Sequence, residues 1–544
     1  MRYPNGGDLL VAVLQELGID TVFGIVSVHN LPLVEAVDRA LRFVPVRHEA
    51  SAVNAADAYG RARGSIGCAL TSTGTGAGNA AGSLIEALSA GSSVLHVTGQ
   101  VESEFLGSGR GFIHETKDQL GMLTAVSAYA ATVPDTERAG RILREAARAA
   151  RGGPGGTGGP ASVEWPIDLQ YAPQADLRAA PDFPAFPGPT AGEIAAAGEL
   201  LASARRPLVW AGGGATRARR ELAPLLEATG AGLLTSNSGR GTVPEDHDQV
   251  IGNFATAPAA RTLLADADLL LTIGTHFRSN ETADYTLDLP AAHIQIDLDA
   301  AALGRVYPVA HPLHGDAAPT LAALARYAAP AEAGWRERVR AVRADVRAAL
   351  HDAIGPQAAI CDAIRAALPR EAVIARDVTI PSSSWGNRLL DMYDPLDNVF
   401  PRGGGIGQGL GMGIGAALAR PHAPTVVLAG DGGLAVHLGE LLTLAQERPR
   451  LTLLVFNDGG YGVLRNMQDR YSERRSGVDL ATPDFELLAR ACGLPYGRIA
   501  AEEDAAPVID AAVASDGPTL VEVDLTALGP MKNPFTPPVR IPSR

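Results

Sequence analysis

Two glycine-rich segments place oxygen-bearing side chains directly after short apolar runs in the last third of the chain. TVVLAG (425–430) precedes Asp431, and LTLLVF (451–456) precedes Asn457. The runs predict parallel strands, and the helical pattern between them predicts a right-handed crossover that brings both carboxyl ends to one sheet edge. A carboxylate, an amide oxygen and a backbone carbonyl suit octahedral Mg²⁺ together with phosphate oxygens and water. The pattern therefore predicts a magnesium site beside a bound anion.

Glycines follow both of these segments. Gly432 and Gly433 allow the backbone to approach a phosphate closely, and the following helix offers its first N–H groups to an anion. The alternative is that DGG and NDGG (457–460) are only turns, because Asp-Gly and Asn-Gly are common turn dipeptides. Two such segments at strand ends across a single crossover favour the metal–phosphate interpretation.

A candidate acid–base residue lies near the N-terminus. Glu49 follows the predicted strand FVPV (43–46) and opens an alanine-rich helix. Taken alone, an acid in the first turn of a helix favours the helix dipole and requires no catalytic role. A role for Glu49 in proton transfer therefore depends on what else shares its site.

The elements that position these residues form a repeating plan. Short apolar runs alternate with helical patterns, which predicts an α/β protein with three Rossmann-like, doubly wound domains built on parallel sheets. We place the domains at residues 1–175, 190–328 and 355–544. Residues 173–192 are rich in Pro and Ala without periodicity, which predicts a linker.

Composition excludes several classes of protein. The net charge of -14 is spread along the chain and argues against a nucleic-acid partner, which would need a basic face. The three cysteines lack metal-ligand spacing, and a reducing cytoplasm fits them. The first residues predict an amphipathic helix and no signal peptide, and no apolar run reaches the ~18 residues needed to span a membrane. A soluble cytoplasmic protein is expected.

The motifs together resemble a known superfamily. GDG (430–432) followed by NDGGYG (457–462) resembles the thiamine-diphosphate signature of the acetolactate synthase and benzoylformate decarboxylase superfamily. The resemblance implies a pyrimidine-binding, a central and a diphosphate-binding domain. It also implies that Asp431, Asn457 and the backbone carbonyl of Gly459 hold Mg²⁺.

Further cofactor contacts follow from the same resemblance. The segment 403–419 is similar to the stretch that precedes GDG in these enzymes, which implies that Ile406 props the two cofactor rings in a bent conformer, although Ile406 could be a plain core residue. In DVTIPSSSW (377–385), hydroxyl groups replace the family's His/Gln pair beside the diphosphate. The residues expected to touch the cofactor in these segments and around GDG are Thr379, Ser382, Gly405, Gly432, Gly433 and Tyr461.

The segment around Glu49 resembles the activating-glutamate segment of the superfamily. The resemblance implies that Glu49 hydrogen-bonds the pyrimidine ring and promotes removal of the thiazolium C2 proton, which gives the reactive ylid. In these enzymes the pyrimidine-binding domain of one subunit faces the diphosphate-binding domain of another. A homodimer or homotetramer is therefore implied.

Two histidines depart from the acetolactate synthase pattern. His29 lies in FGIVSVHNLP (23–32), where a similar place in benzaldehyde lyase holds a histidine, and His114 replaces a common glutamine. Each could move protons or hold a substrate carboxylate, or be an ordinary hydrogen-bonded loop residue. His276 stands where flavin-binding synthases have an arginine, so FAD is left open but unsupported.

These features predict a thiamine-diphosphate- and Mg²⁺-dependent decarboxylase or carboligase that acts on a 2-oxo acid or aldehyde through a C2 ylid and an enamine. The alternatives are a pyruvate-oxidase-like flavoenzyme, a benzaldehyde-lyase-like acyloin lyase or ligase, and a catalytically silent scaffold. The presence of Glu49, Asp431 and Asn457 argues against the scaffold. The sequence does not name the substrate.

Overall fold

The computed structural model describes residues 1–152, 158–176 and 185–538. Within these ranges the chain forms three parallel six-stranded sheets and one short antiparallel pair, Arg2–Tyr3 with Gln174–Ala175. The predicted α/β class is confirmed. Part of the predicted linker, residues 177–184, lies outside the described residues, and the domain boundaries stay predictions.

The first sheet belongs to the N-terminal domain. In order across the sheet, its parallel strands are Arg42–Pro45, Thr21–Gly24, Gly67–Thr71, Val94–Gln100, Ala161–Pro166 and Tyr129–Thr132. Its helices are Gly6–Glu16, Leu31–Ala40, Glu49–Arg63, Thr75–Ala90, Gln119–Val126, Ala139–Arg151 and Ile167–Tyr171. Side chains alternate between the two faces of a strand. Cys68 and Leu70 therefore pack into the hydrophobic core on one face of the sheet, and Ala69 packs into the core on the opposite face. Both faces are therefore covered, as in a doubly wound fold.

The second sheet forms the central domain. Across the sheet, its parallel strands are Val250–Gly252, Gly232–Thr235, Pro207–Ala211, Leu269–Ile273, His293–Asp297 and His311–His314. The longer helices of this domain are Ala191–Ser203, Arg219–Thr229, Pro258–Asp266 and Ala317–Leu324. The strand that comes first in the chain lies at the centre of the sheet, so strand order reverses on its two sides. Helix Trp335–Ala353 leads to the third domain.

The third sheet has the same strand order as the first. Across the sheet, its parallel strands are Asn398–Val399, Val373–Arg376, Thr425–Gly430, Leu451–Asn457, Thr519–Asp524 and Tyr496–Ile499. Its helices are Gln357–Ala367, Gly409–Ala419, Asp431–Leu434, Glu440–Glu447, Gly462–Tyr471, Phe485–Ala491, Ala505–Val513 and Leu525–Leu528. The strands that end at residues 430 and 457 are parallel, so their carboxyl ends lie at one sheet edge as the crossover argument predicts, and they are direct neighbours.

The first and third domains pack against each other through two helices. Helix Glu49–Arg63 lies against helix Gly409–Ala419, and glycines on the second helix permit a close approach. A Cβ atom at Gly415 would overlap the backbone of Ala55, so only glycine fits there. In the described part of the chain, none of the helices is both long and apolar enough to cross a membrane.

Candidate active site

Asp431 lies at the carboxyl edge of the third sheet, immediately after strand Thr425–Gly430. Its side chain is buried, and burial raises the pKa of this carboxyl group. The backbone N–H groups of Gly432, Asp458 and Gly460 lie close enough to oppose that rise. Its Oδ2 atom is buried without a hydrogen-bond partner among the described residues. A buried carboxylate oxygen without a donor suits a bound cation.

Asp458 provides a second oxygen of the same kind. Its Oδ1 atom is buried and accepts no hydrogen bond within the described ranges, although Nη1 of Arg465 lies 3.6 Å away. Burial, and next the charge of Asp431, raises the pKa of Asp458 to about 6. Two carboxylates that disfavour each other's ionised form are stabilised when a divalent cation lies between them. The chemistry of this pair fits Mg²⁺.

Asn457 and Gly459, predicted from the sequence as metal ligands, already have protein partners. The Asn457 amide donates to Oε1 of Glu522 at 2.7 Å, and its oxygen accepts the N–H of Gly459 at 3.3 Å. The Gly459 carbonyl accepts from the N–H of Leu480 at 2.9 Å and from Nη2 of Arg465 at 3.1 Å. Both lone pairs of that carbonyl are therefore used.

The sequence contained a signal for Asp458 that the prediction missed. Asn457 ends strand Leu451–Asn457, and side chains of adjacent strand residues point to opposite sides. Asp458 lies close enough to Asp431 for that charge to raise its pKa, whereas the Asn457 amide donates to Glu522. The presence of an acid directly after the asparagine was the clue.

Several of the predicted cofactor contacts lie next to the segment that contains Asp431. A Cβ atom at Gly430 would lie 3.1 Å from Oγ1 of Thr379, so this hydroxyl group is next to the strand end. A Cβ atom at Gly432 would lie 2.8 Å from the ring of Tyr461, and Gly433 likewise adjoins the carboxylate of Asp377. Ser382 is buried at the start of the π-helical turn Ser382–Gly386. Glycine at 430, 432 and 433 avoids close contacts with Thr379, Tyr461 and Asp377, and a glycine-rich backbone of this kind suits a phosphate cradle.

Ile406 lies in the glycine-rich loop that precedes helix Gly409–Ala419. Its side chain is 41% exposed, which is unusual for a large apolar residue in a well-ordered loop. Gly405 next to it donates its N–H to Oε2 of Glu86 at 3.0 Å. Ile406 is therefore an accessible apolar group beside the cradle and not a residue of the core.

Glu49 lies at the corresponding edge of the first sheet. It is 9% exposed and begins helix Glu49–Arg63, and its Oε2 atom accepts from Nδ2 of Asn79 at 3.0 Å. A Cβ atom at Gly76 would lie 2.9 Å from Oε1 of Glu49, so glycine leaves the space that this carboxyl group occupies. The acid is thus held in one orientation by a neighbouring helix.

His29 and His114 meet on the same edge of the first sheet. Their Nδ1 atoms are 3.4 Å apart, and the His29 side chain is buried. Burial, and then the charge of His114, lowers the pKa of His29. His114 has a left-handed backbone with φ of 67°, a conformation that costs about 1 kcal/mol or more for a residue other than glycine. Gly74 lies next to His114, and Gly76, two residues further along the chain, lies next to Glu49. The histidines and Glu49 are therefore close to the same segment.

The structure also contains a cavity lined by other residues. A cavity of about 900 Å³ is bordered by all three domains, and it contains none of the predicted catalytic or metal-binding residues. His276 lines it together with Arg217 and Arg402. Burial, and then the charge of Arg61, lowers the pKa of Arg402 to about 9. The cavity is separate from the carboxylate and histidine clusters.

Comparisons with known proteins identify the family of the chain. Three family descriptions match it: the thiamine pyrophosphate enzyme N-terminal TPP binding domain at residues 4–122, the central domain at 194–324, and the C-terminal TPP binding domain at 381–523. A probable 2-ketoarginine decarboxylase, AruI, of Pseudomonas aeruginosa is 35% identical over 533 residues, covering 95% of this chain and 94% of that protein.

Acetolactate synthases are more distant relatives. The large subunit of isozyme 2 from Escherichia coli is 28% identical over 545 residues, covering 96% of each chain. A probable large subunit from Methanocaldococcus jannaschii is 27% identical over 550 residues, covering 95% of this chain and 91% of that protein. With three domains matched and these relatives spanning nearly its whole length, the chain belongs to the thiamine-pyrophosphate-dependent enzymes, which break or form carbon–carbon bonds.

Proposed function

We propose that this chain is a Mg²⁺- and thiamine-diphosphate-dependent decarboxylase or carboligase that acts on 2-oxo acids. The observation that carries the proposal is the pair of buried carboxylate oxygens on Asp431 and Asp458, neither of which accepts a hydrogen bond from the described residues. Such a pair suits a bound divalent cation, and the glycine-rich backbone beside it suits the diphosphate that would share that cation.

The proposed Mg²⁺ ligands are Asp431, Asp458 and the carbonyl oxygen of Gly460. That carbonyl oxygen lies beside the metal segment, since a Cβ atom at Gly432 would be 3.1 Å from it. Asp458 and Gly460 replace the Asn457 and Gly459 of the sequence prediction, because the latter two use their oxygens within the protein. Thr379, Gly432, Gly433 and Tyr461 border the space for the diphosphate.

Bound thiamine diphosphate supplies a carbon nucleophile and an electron sink for bonds next to a carbonyl group. Ile406 would support the cofactor rings with its exposed side chain. Glu49, held by Asn79, would exchange a proton with the pyrimidine end. His29 and His114 would hold the substrate carboxylate or carry a proton to and from the reacting carbonyl group.

The proposed active site combines two chains. In the N-terminal domain, Val28 and Ile113 stand next to the two histidines in the chain and are 61% and 64% exposed. In the C-terminal domain, Val436 and Leu464 are 47% and 48% exposed. Apolar residues this exposed, next to catalytic groups, are those a second surface would cover. We propose a homodimer or homotetramer in which the N-terminal domain of one subunit faces the C-terminal domain of another.

The name of the Pseudomonas relative suggests the first substrate to test. It is a probable decarboxylase of 2-ketoarginine, whereas the more distant relatives are acetolactate synthases. We therefore propose decarboxylation of a 2-oxo acid as the principal reaction, with carboligation as the second candidate. The matched family descriptions name thiamine pyrophosphate and no flavin, so the proposal does not include an oxidase.

Calorimetry and product analysis test this function. Thiamine diphosphate should bind with Mg²⁺ present and lose its affinity when the metal is chelated. The loaded protein should release CO₂ from 2-ketoarginine, from pyruvate or from another 2-oxo acid of a panel, and acyloin products distinguish carboligation. Failure to bind the cofactor in the presence of Mg²⁺ would overturn the proposal.

A further inference from the structure

Glu86 reaches from the N-terminal domain to the loop that holds Ile406. Glu86 lies on helix Thr75–Ala90, and its side chain is 4% exposed. Its two carboxylate oxygens accept hydrogen bonds from the N–H groups of Gly403 and Gly405, the second at 3.0 Å. A buried carboxylate that accepts backbone N–H groups makes strong, charge-assisted hydrogen bonds. The first half of the loop is therefore fixed by a residue of another domain.

Asp377 fixes the second half of the same loop. It follows strand Val373–Arg376 and is 2% exposed. Its carboxylate accepts from the N–H of Gly407 at 3.0 Å and from the N–H of Gly409 at 3.3 Å. Glycine at 409 permits this arrangement, because a Cβ atom there would lie 2.7 Å from the Cβ atom of Asp377 and 2.9 Å from its backbone nitrogen, and a Cβ atom at Gly403 would lie 2.9 Å from the Glu86 carboxylate.

The backbone on both sides of Ile406 is fixed by hydrogen bonds. Its side chain is 41% exposed, so packing covers it only in part. The residues on either side of it are bound by the two carboxylates, Gly405 by Glu86 and Gly407 by Asp377. The position of this apolar side chain therefore depends on the two buried acids.

We propose that Glu86 and Asp377 are positioning residues that hold Ile406 in the orientation in which it supports the cofactor rings. The proposal rests on the proposed function of Ile406. The helix that contains Glu86, Thr75–Ala90, also contains Asn79, whose side chain donates a hydrogen bond to Glu49. Residues 79 and 86 are two helical turns apart, and so lie on one face of the helix. Helix Thr75–Ala90 therefore contacts both Glu49 and the Ile406 loop of its own chain.

Amide hydrogen exchange measured by mass spectrometry, on protein without added cofactor, tests the contact itself. Glu86→Gln keeps the size of the side chain but loses the charge and one acceptor, so exchange in peptides covering 403–409 should accelerate by roughly tenfold. Glu199→Gln is the matched control, because Glu199 is exposed on helix Ala191–Ser203 of the central domain. Asp377→Asn should accelerate exchange in the same peptides. Unchanged protection in both loop variants would overturn the proposal.

Cofactor chemistry tests whether the loop acts through Ile406. At saturating thiamine diphosphate and Mg²⁺, Glu86→Gln should slow exchange of the cofactor C2 proton by roughly tenfold while changing cofactor affinity by less than about threefold. In an Ile406→Ala background, Glu86→Gln should have little additional effect, since residues acting through one group are not additive. Equal slowing in both backgrounds, or a loss of affinity with normal C2 exchange, would contradict the positioning role. A wild-type protein that binds no thiamine diphosphate would instead refute the proposed function.

Discussion

The Nδ1 atoms of His29 and His114 face each other at 3.4 Å, although the two residues are far apart in the chain. Only one of two facing ring nitrogens can carry the shared proton, so one ring donates and the other accepts. Burial and the neighbouring ring lower the pKa of His29, which keeps this imidazole neutral near pH 7. We therefore expect the pair to share a single proton.

His29→Ala and His114→Ala should each lower turnover by about 100-fold or more, the usual contribution of a proton-transfer group. Thiamine-diphosphate affinity should stay near the wild-type value, because the proposed metal ligands and diphosphate cradle are untouched. Steady-state kinetics and calorimetry measure the two quantities. His422→Ala is the control, since His422 is exposed in the C-terminal domain, and it should change little. Wild-type turnover in both active-site variants would make the histidines ordinary loop residues.

Glu49→Gln should retain cofactor binding and lose catalysis. The substitution leaves Asp431 and Asp458 intact and can still hydrogen-bond Asn79, but it removes the acid. C2-proton exchange and turnover should therefore fall by roughly 10²–10⁴-fold. The measurement is NMR of the cofactor after exchange into deuterated water and acid quenching. Exchange at the wild-type rate would remove Glu49 from the mechanism.

Candidate site residues were easiest to predict where they directly follow a strand. The buried strand Thr425–Gly430 and the helix opened by Glu49 are continuous elements with clear start signals, so local pattern predicts where Asp431 and Glu49 stand in the fold. The role predicted for Glu49 came from the resemblance to the superfamily. The metal ligands after the next strand were harder to assign. The choice between Asn457 and Asp458 depends on which side of the chain each side chain faces. An error of one residue in the predicted end of the strand exchanges the two directions.

Contacts between residues far apart in the chain could not be predicted from the local sequence. Glu86 looks like any acid on an amphipathic helix, and only the tertiary structure brings it to Gly403 and Gly405. The meeting of His29 and His114 likewise depends on two loops that converge from separate strand ends. Pattern and propensity describe neighbours in sequence, whereas these contacts are set by how sheets and domains pack.

Substitutions at the metal site separate the two ligand assignments. Asp458→Ala should raise the Mg²⁺ concentration that half-saturates cofactor binding by roughly 100-fold, because it removes a charged ligand. Asn457→Ala should have a smaller effect, less than about tenfold, since the Asn457 amide donates to Glu522. Calorimetric titrations with thiamine diphosphate at several Mg²⁺ concentrations measure both. A larger loss in Asn457→Ala than in Asp458→Ala would restore the ligand set predicted from the sequence.

His96 should make the stability of the N-terminal domain depend on pH. The ring is fully buried between Thr71 and Ser162, with hydrogen bonds of 2.8 Å and 3.0 Å to their hydroxyl groups. Burial lowers the pKa of His96 from 6.5 to about 4. Between these values the unfolded chain binds a proton that the folded chain does not, so stability falls as the pH falls through this window. The loss is about 3 kcal/mol in total, at about 1.4 kcal/mol for each pH unit.

His96→Gln tests this origin of acid sensitivity. Glutamine can still hydrogen-bond a hydroxyl group of Thr71 or Ser162 but does not titrate. The variant should therefore be less stable than wild type at pH 7.5, and the difference between them should shrink or reverse by pH 4.5. The midpoint of the first urea-unfolding transition, recorded for both proteins at several pH values, measures that difference. A constant difference across the whole range would mean that His96 titrates equally in the folded and unfolded chains, and that the acid sensitivity has another source.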